Sequence, residues 1–136
     1  MIADMDHLKQ INDQSGPATG DAVLIKVSRR LNINLRAVDL VARIGREEFL
    51  IILLETRQNK AETAGKRLCQ LIHNTPIKLP NGDFQVIVSI SIGVALGGRK
   101  NGPRHSAAQL LDMADRALYE SKSDSRNRVT LIDHAA

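Results

Sequence analysis

No tryptophan occurs in these 136 residues, and Phe49, Phe84 and Tyr119 are the whole aromatic complement. Single-stranded nucleic acid is held by stacking bases on aromatic rings, so a nucleic-acid polymer is not the expected partner. One cysteine, Cys69, excludes an internal disulfide. There is no signal-peptide pattern and no apolar run long enough to span a membrane, and a reducing cytoplasmic setting is the expectation. Repeats and low-complexity segments are also absent. What the chain does have is 43% hydrophobic residues, enough for one domain with a core, and a net charge of +4 that suits a phosphate-bearing ligand.

Ile2 to Asp6 reads as the end of a strand, followed by a short helical turn through Leu8 and Ile11 that breaks at Gly16-Pro17. Val23, Leu24, Val27, Leu31 and Leu35 keep helical spacing, with Thr19 or Asp21 as the expected cap. Two apolar runs, 40–44 and 49–54, flank Gly45-Arg46-Glu47-Glu48 and predict a hairpin. A helix is predicted over 59–74, closed by Pro76, and Leu110, Leu111, Ala114 and Leu118 mark the inward face of another over 106–122. Alternation over 84–94 predicts one long buried strand, and 129–132 a last short one. Residues 80–83 read as a tight turn and 97–104 as a Gly- and Arg-rich loop. The order implies a mixed sheet covered by helices on one side, an α/β (α+β) domain filling 1–136.

Asp4 and Asp6 are two apart on a strand, and the hairpin tip brings Glu47 and Glu48 within range of them. Alone, an Asp-x-Asp pair is explained by a strand end reaching water. Joined to two further carboxylates with no nearby His or Cys, it becomes an oxygen-only site for Mg²⁺ or Mn²⁺, the ions that accompany nucleotide phosphates. Lys122 and Arg126 stand at and beyond a helix C-terminus, where cations also serve the helix dipole. Arg36 and Asp39 bracket a helix-to-strand junction, where a weak surface ion pair is the default. His7, His73, His105 and His134 have no ligand spacing and read as surface residues, and Met113 fits a helix core position.

Taken in order, Ile2-Ala3-Asp4-Met5-Asp6-His7-Leu8-Lys9-Gln10-Ile11-Asn12-Asp13, Gly20-Asp21, Ala42-Arg43-Ile44-Gly45-Arg46-Glu47-Glu48-Phe49, Ser91-Ile92-Gly93-Val94-Ala95, Ala114-Asp115-Arg116-Ala117-Leu118-Tyr119 and Arg126-Asn127 resemble the GGDEF domain of bacterial cyclic di-GMP signalling. The resemblance implies a palm-like, nucleotidyl-cyclase-like fold with a mostly antiparallel sheet of about five strands. It also implies that two such domains, each holding one GTP, face each other to make cyclic di-GMP. By motif, Asp4, Glu47 and the Met5 carbonyl would hold Mg²⁺ or Mn²⁺, with Glu48 and Arg43 catalytic. Asn12 and Asp21 would read guanine, and His7, Leu8, Lys9, Lys122 and Arg126 would hold the GTP phosphates. Arg36 and Asp39, with Arg67 on the next helix, would form the inhibitory site for cyclic di-GMP.

Three positions depart from the family pattern: Arg46 for glycine in the signature, Pro17 for a usual histidine and Ser125 for a common glycine. The helix and wing segment that ordinarily precede the first strand are expected to be missing, along with an attached upstream sensory domain. Arg46 adds bulk and charge where the turn passes close to the nucleotide. The expectation is therefore a degenerate cyclase, weakly active or inactive, that binds cyclic di-GMP and pairs as a ligand-bridged homodimer. The alternative is an active diguanylate cyclase inhibited by its product.

Overall fold

β1 (Ile2–Met5) is the middle strand of a five-stranded sheet, which is why its four residues are all buried. After it come α1 (Leu8–Ser15), α2 (Pro17–Ile33), β2 (Leu40–Arg43), β3 (Glu48–Ile52) and α3 (Gln58–Asn74). The chain continues through β4 (Ile77–Lys78), β5 (Gln85–Val86), β6 (Ile90–Ala95), α4 (Ala107–Ser123) and β7 (Val129–Ile132). This computed structural model describes residues 1–79, 84–98 and 104–132. The expected turn at 80–83 and the middle of the expected loop at 97–104 lie outside the described residues, as does His134.

The sheet order is β2-β3-β1-β6-β7, antiparallel except for the parallel β6–β7 pair. On one face, Ala3, Met5, Phe49, Ile51, Ile90 and Ile92 pack against Val23, Val27 and Leu31 of α2 and Leu68 and Ile72 of α3. On the other, Ile2 packs against Ala114 and Leu118 of α4. Helices thus cover both faces, not one. Alternation along β1 sends neighbouring side chains to opposite sides, and each set needs its own cover.

The long strand expected over 84–94 is two. β5 leaves the main sheet to pair with β4, a strand the sequence reading did not contain. Phe84 and Ile87 are 69% and 65% exposed. The break falls where Ser89 turns to Asp6: the Asp6 amide donates to the Ser89 carbonyl, and the Ser89 hydroxyl donates to Asp6. Neither Thr19 nor Asp21 caps α2, which starts at Pro17 after Gly16, and Thr19 instead donates back to the Ser15 carbonyl. Leu111, expected inward, is 41% exposed. α4 begins one residue later than expected because Ser106 and Gln109 form a reciprocal capping box.

α4 ends in a strained reversal. Ser125, Arg126 and Asn127 have φ values of 85°, 61° and 47°, and the Arg126 amide closes the helix by donating to the Ser121 carbonyl. This left-handed region costs most residues free energy that glycine does not lose. Ser125→Gly is expected to stabilise the fold by about 1 kcal/mol and to raise the melting temperature by roughly 3–5 °C in thermal unfolding.

Candidate functional site

The β1–β3 pairing sets Asp4 opposite Glu48, and the Met5 amide donates to the Glu47 carbonyl at 3.1 Å. That register places the signature turn at the end of β1. From the other side, α4 delivers Lys122 in its last turn, and its ammonium donates to Asp4 Oδ2 at 2.7 Å. Asp4 is 3% exposed, and its Oδ1 has no hydrogen-bond partner among the described residues. Burial pushes the Asp4 carboxyl above its ordinary value although Lys122 opposes the shift. Burial also raises Glu47, and the nearby Asp4 charge adds to it, while Lys122 and Arg46 pull it down. Among the described residues no three of His, Cys, Asp and Glu converge as a metal cluster.

Asp6, paired with Asp4 in the sequence reading, has a different task. It accepts from the Ser89 and Ser91 hydroxyls at 2.6 Å each and from the Asn127 amide at 3.1 Å. Its oxygens are spent tying β1 to the start of β6 and to the turn after α4. The Ser-x-Ser spacing of Ser89 and Ser91 was the available signal, because two hydroxyls on one strand face ask for a shared acceptor.

Arg43 braces the turn from within, donating from Nε to the carbonyls of Gly45 and Arg46 at 3.1 Å. Arg46 is exposed and is not among the residues with positive φ. The arginine therefore sits in the signature turn without left-handed backbone strain. His7 takes the left-handed conformation at φ 59° and heads α1, where no side-chain cap satisfies the first turn. Leu8 is buried as the anchor, while His7 and Lys9 are exposed. Asn12 folds against Gly20: a Cβ there would meet Asn12 Oδ1 at 1.7 Å, and that oxygen lacks a partner among the described residues. Asp21 and Arg126 are exposed, and among the described residues neither side chain makes a hydrogen bond or ion pair with Asp4 or Lys122.

A second constellation lies where α2 gives way to β2. Arg36 Nε donates to both Asp39 oxygens at 3.2 and 3.1 Å, and Nη2 donates to Oδ1 at 2.8 Å. The Arg36 amide donates to Asp39 Oδ2, and Nη2 also reaches the Leu54 carbonyl and Thr56. The Asp39 side chain is 3% exposed while the Arg36 side chain is 54% exposed, and what distinguishes the pair from a lone surface ion pair is the further anchoring of Arg36 on Leu54 and Thr56. The hydrogen-bonded Arg36 guanidinium holds the Asp39 carboxyl below its usual range. Arg67 stands across from them on α3 and donates to the Asn34 carbonyl at 3.0 Å. All three line one cavity of about 600 Å³.

The described helices include none long and apolar enough to cross a membrane. Residues 1–128 match the family described as "Diguanylate cyclase, GGDEF domain". The chain is 39% identical over 132 residues to diguanylate cyclase DosC of Escherichia coli, covering 96% of this chain and 27% of that protein. Its fold matches the GGDEF domain of PA1120 (YfiN or TpbB) from Pseudomonas aeruginosa with a TM-score of 0.89 and 34% identity, covering 97% of this chain and 80% of that one. The GGDEF domain of DgcB from Caulobacter crescentus, solved in complex with c-di-GMP, matches with a TM-score of 0.86 and 30% identity, covering 96% and 74%. The chain thus spans about a quarter of the length of the curated relative. With matches this extensive and a palm-like fold shared with solved GGDEF domains, the chain belongs to the GGDEF domain family of cyclic di-GMP signalling.

Proposed function

We propose that this domain binds cyclic di-GMP in the cavity of Arg36, Asp39 and Arg67, and that its cyclase centre turns GTP over weakly or not at all. The observation that carries the binding reading is the convergence of these three residues on a cavity of about 600 Å³, a volume suited to a small-molecule ligand. A guanidinium fork matches a phosphate or the O6 and N7 acceptors of guanine, and a carboxylate accepts from the N–H groups of the guanine edge. Arg36 and Asp39 satisfy each other in the structure, so a ligand exchanges this internal pairing for an equivalent external one. Ligand bridging of two copies, and coupling to a sensory domain upstream, belong to the same proposal.

At the cyclase centre, Asp4 and Glu47 with the Met5 carbonyl would hold Mg²⁺ or Mn²⁺. The fit rests on an unpartnered buried oxygen on Asp4, two raised carboxyls and an all-oxygen donor set. A bound cation would supply charge neutralisation at the reacting phosphate. The uncapped first turn of α1, at His7, Leu8 and Lys9, offers amides to phosphates, with Lys122 and Arg126 as cations. Asn12 and Asp21 would read guanine, and Glu48 would assist as an acid. Arg46 weakens this centre by placing a fixed cation beside Glu47 and bulk at the mouth of the turn. Active catalysis is the second reading, favoured by the ordinary backbone at Arg46.

Arg46→Gly is expected to raise cyclic di-GMP formation from GTP and Mg²⁺ about tenfold or more. Equal, appreciable product from the unaltered chain would overturn the weakened-centre reading and favour the second one. The cation claim has its own test. Because Asp4 and Glu47 ionise less readily folded than unfolded, they favour the fold only when protonated. That contribution is complete below their unfolded pKa values and is lost as pH rises through the raised folded values. Glu47→Gln should therefore raise the melting temperature at neutral pH by about 1–3 °C without divalent ions. The same change should abolish the Mn²⁺-dependent rise expected of the unaltered chain; a rise that survives it would place the ion elsewhere.

A further inference from the structure

The cavity of Arg36, Asp39 and Arg67 has another wall, formed by Arg57 and Lys60 at the start of α3. Lys60 and Arg67 share a helix face, so the wall runs along α3 for two turns. Four cations, Arg36, Arg57, Lys60 and Arg67, line the cavity against two carboxylates, Asp39 and Glu55. They are not equally committed. Arg36 is engaged by Asp39, Leu54 and Thr56, and Arg67 by the Asn34 carbonyl. Among the described residues no hydrogen bond or ion pair engages the Arg57 or Lys60 side chain, although both line the cavity. Their position also opposes local stability: Arg57 is the N-cap of α3, without a side-chain cap bond, and the first turn has no acidic residue. Cations at that end face the positive pole of the helix dipole. A local rule broken beside a cavity points to a ligand that repays the cost.

We propose that Arg57 and Lys60 are the phosphate-gripping wall of this cavity. They would take the two negative charges of a cyclic dinucleotide diester while Arg36 and Asp39 read a base. The inference rests on the binding reading above and adds residues to it. Its test is calorimetric titration of cyclic di-GMP into the unaltered chain, an Arg57→Ala/Lys60→Ala double variant and Arg36→Ala, at low and moderate salt, with thermal unfolding of each apo protein. The double variant is expected to bind about tenfold or more weakly, with a smaller salt dependence than the unaltered chain. Its apo melting temperature should be equal or higher, since unfavourable helix charges have gone. Affinity within twofold of the unaltered chain in the double variant, with affinity lost in Arg36→Ala, would overturn this proposal and leave the binding reading standing. Affinity retained in both would overturn the two together. A loss of affinity accompanied by a lowered apo melting temperature would assign Arg57 and Lys60 to folding and overturn the proposal.

Discussion

Gly93→Ala is expected to cost about 3 kcal/mol or more and to lower the melting temperature by over about 10 °C, as read by circular dichroism during thermal unfolding. Gly93 lies on β6 where α4 crosses it. An added Cβ would sit 2.1 Å from the Ala114 carbonyl oxygen and 2.3 Å from the Leu118 amide nitrogen. Both are backbone atoms inside a helix, so no rotamer change relieves the clash and α4 must lift away from the sheet. Lifting it breaks the hydrogen bond from the buried Ser121 hydroxyl to the Ile92 carbonyl and withdraws Lys122 from Asp4. Among the described residues the same methyl at Gly97 would meet only the Leu110 side chain, at 3.0 Å, and Gly97→Ala serves as the mild control. A small melting shift for Gly93→Ala would mean that α4 does not pack as closely on β6 as the structure shows.

Arg36→Ala is expected to weaken cyclic di-GMP binding by about 50-fold or more, since it removes several charge-assisted hydrogen bonds at once. The loss has a second source: the variant leaves the Asp39 carboxylate without the Arg36 guanidinium that pairs it, facing a ligand that carries negative phosphates. Arg36→Lys should recover little, because an ammonium cannot span both Asp39 oxygens and also reach Leu54 and Thr56. Folding is not the cause of the loss if the apo melting temperature falls by only a few degrees.

Helical spacing made α3 and α4 legible within a residue and α2 as an element, since each buries one apolar stripe. The start of α2 was not legible, because Gly16-Pro17 and not a Thr19 or Asp21 cap begins it. The hairpin was legible because its two apolar runs flank a polar turn. Alternation misled over 84–94, because period-two patterning marks extended chain but does not say which partner it pairs with. β5 finds its partner in β4 through the Ile77–Val86 and Lys78–Gln85 pairs, which no alternation within 84–94 specifies. The cover on the second sheet face was equally invisible, since nothing local in α4 states which face it will take. Among the candidate site residues, Asp4 is paired with Lys122, which the motif had assigned to the GTP phosphates, and Glu47 lies close enough to feel both charges. Asp6 does not join them, for the strand turns at Met5 and its carboxylate is consumed internally. Arg57 and Lys60 carried no motif and became visible only when the chain folded them toward Arg36.

Under the proposed function the dinucleotide has two places where its guanine would be read: the Arg36–Asp39 cavity and the neighbourhood of Asn12 and Asp21. Calorimetric titration of cyclic di-GMP into Arg36→Ala and Asn12→Ala, side by side with the unaltered chain, separates them. Binding that collapses in Arg36→Ala and stays within about threefold in Asn12→Ala is the expected result, a threefold change being under about 1 kcal/mol. Collapse in Asn12→Ala with affinity retained in Arg36→Ala would place the ligand in the nucleotide pocket and contradict the assignment of the Arg36–Asp39 cavity.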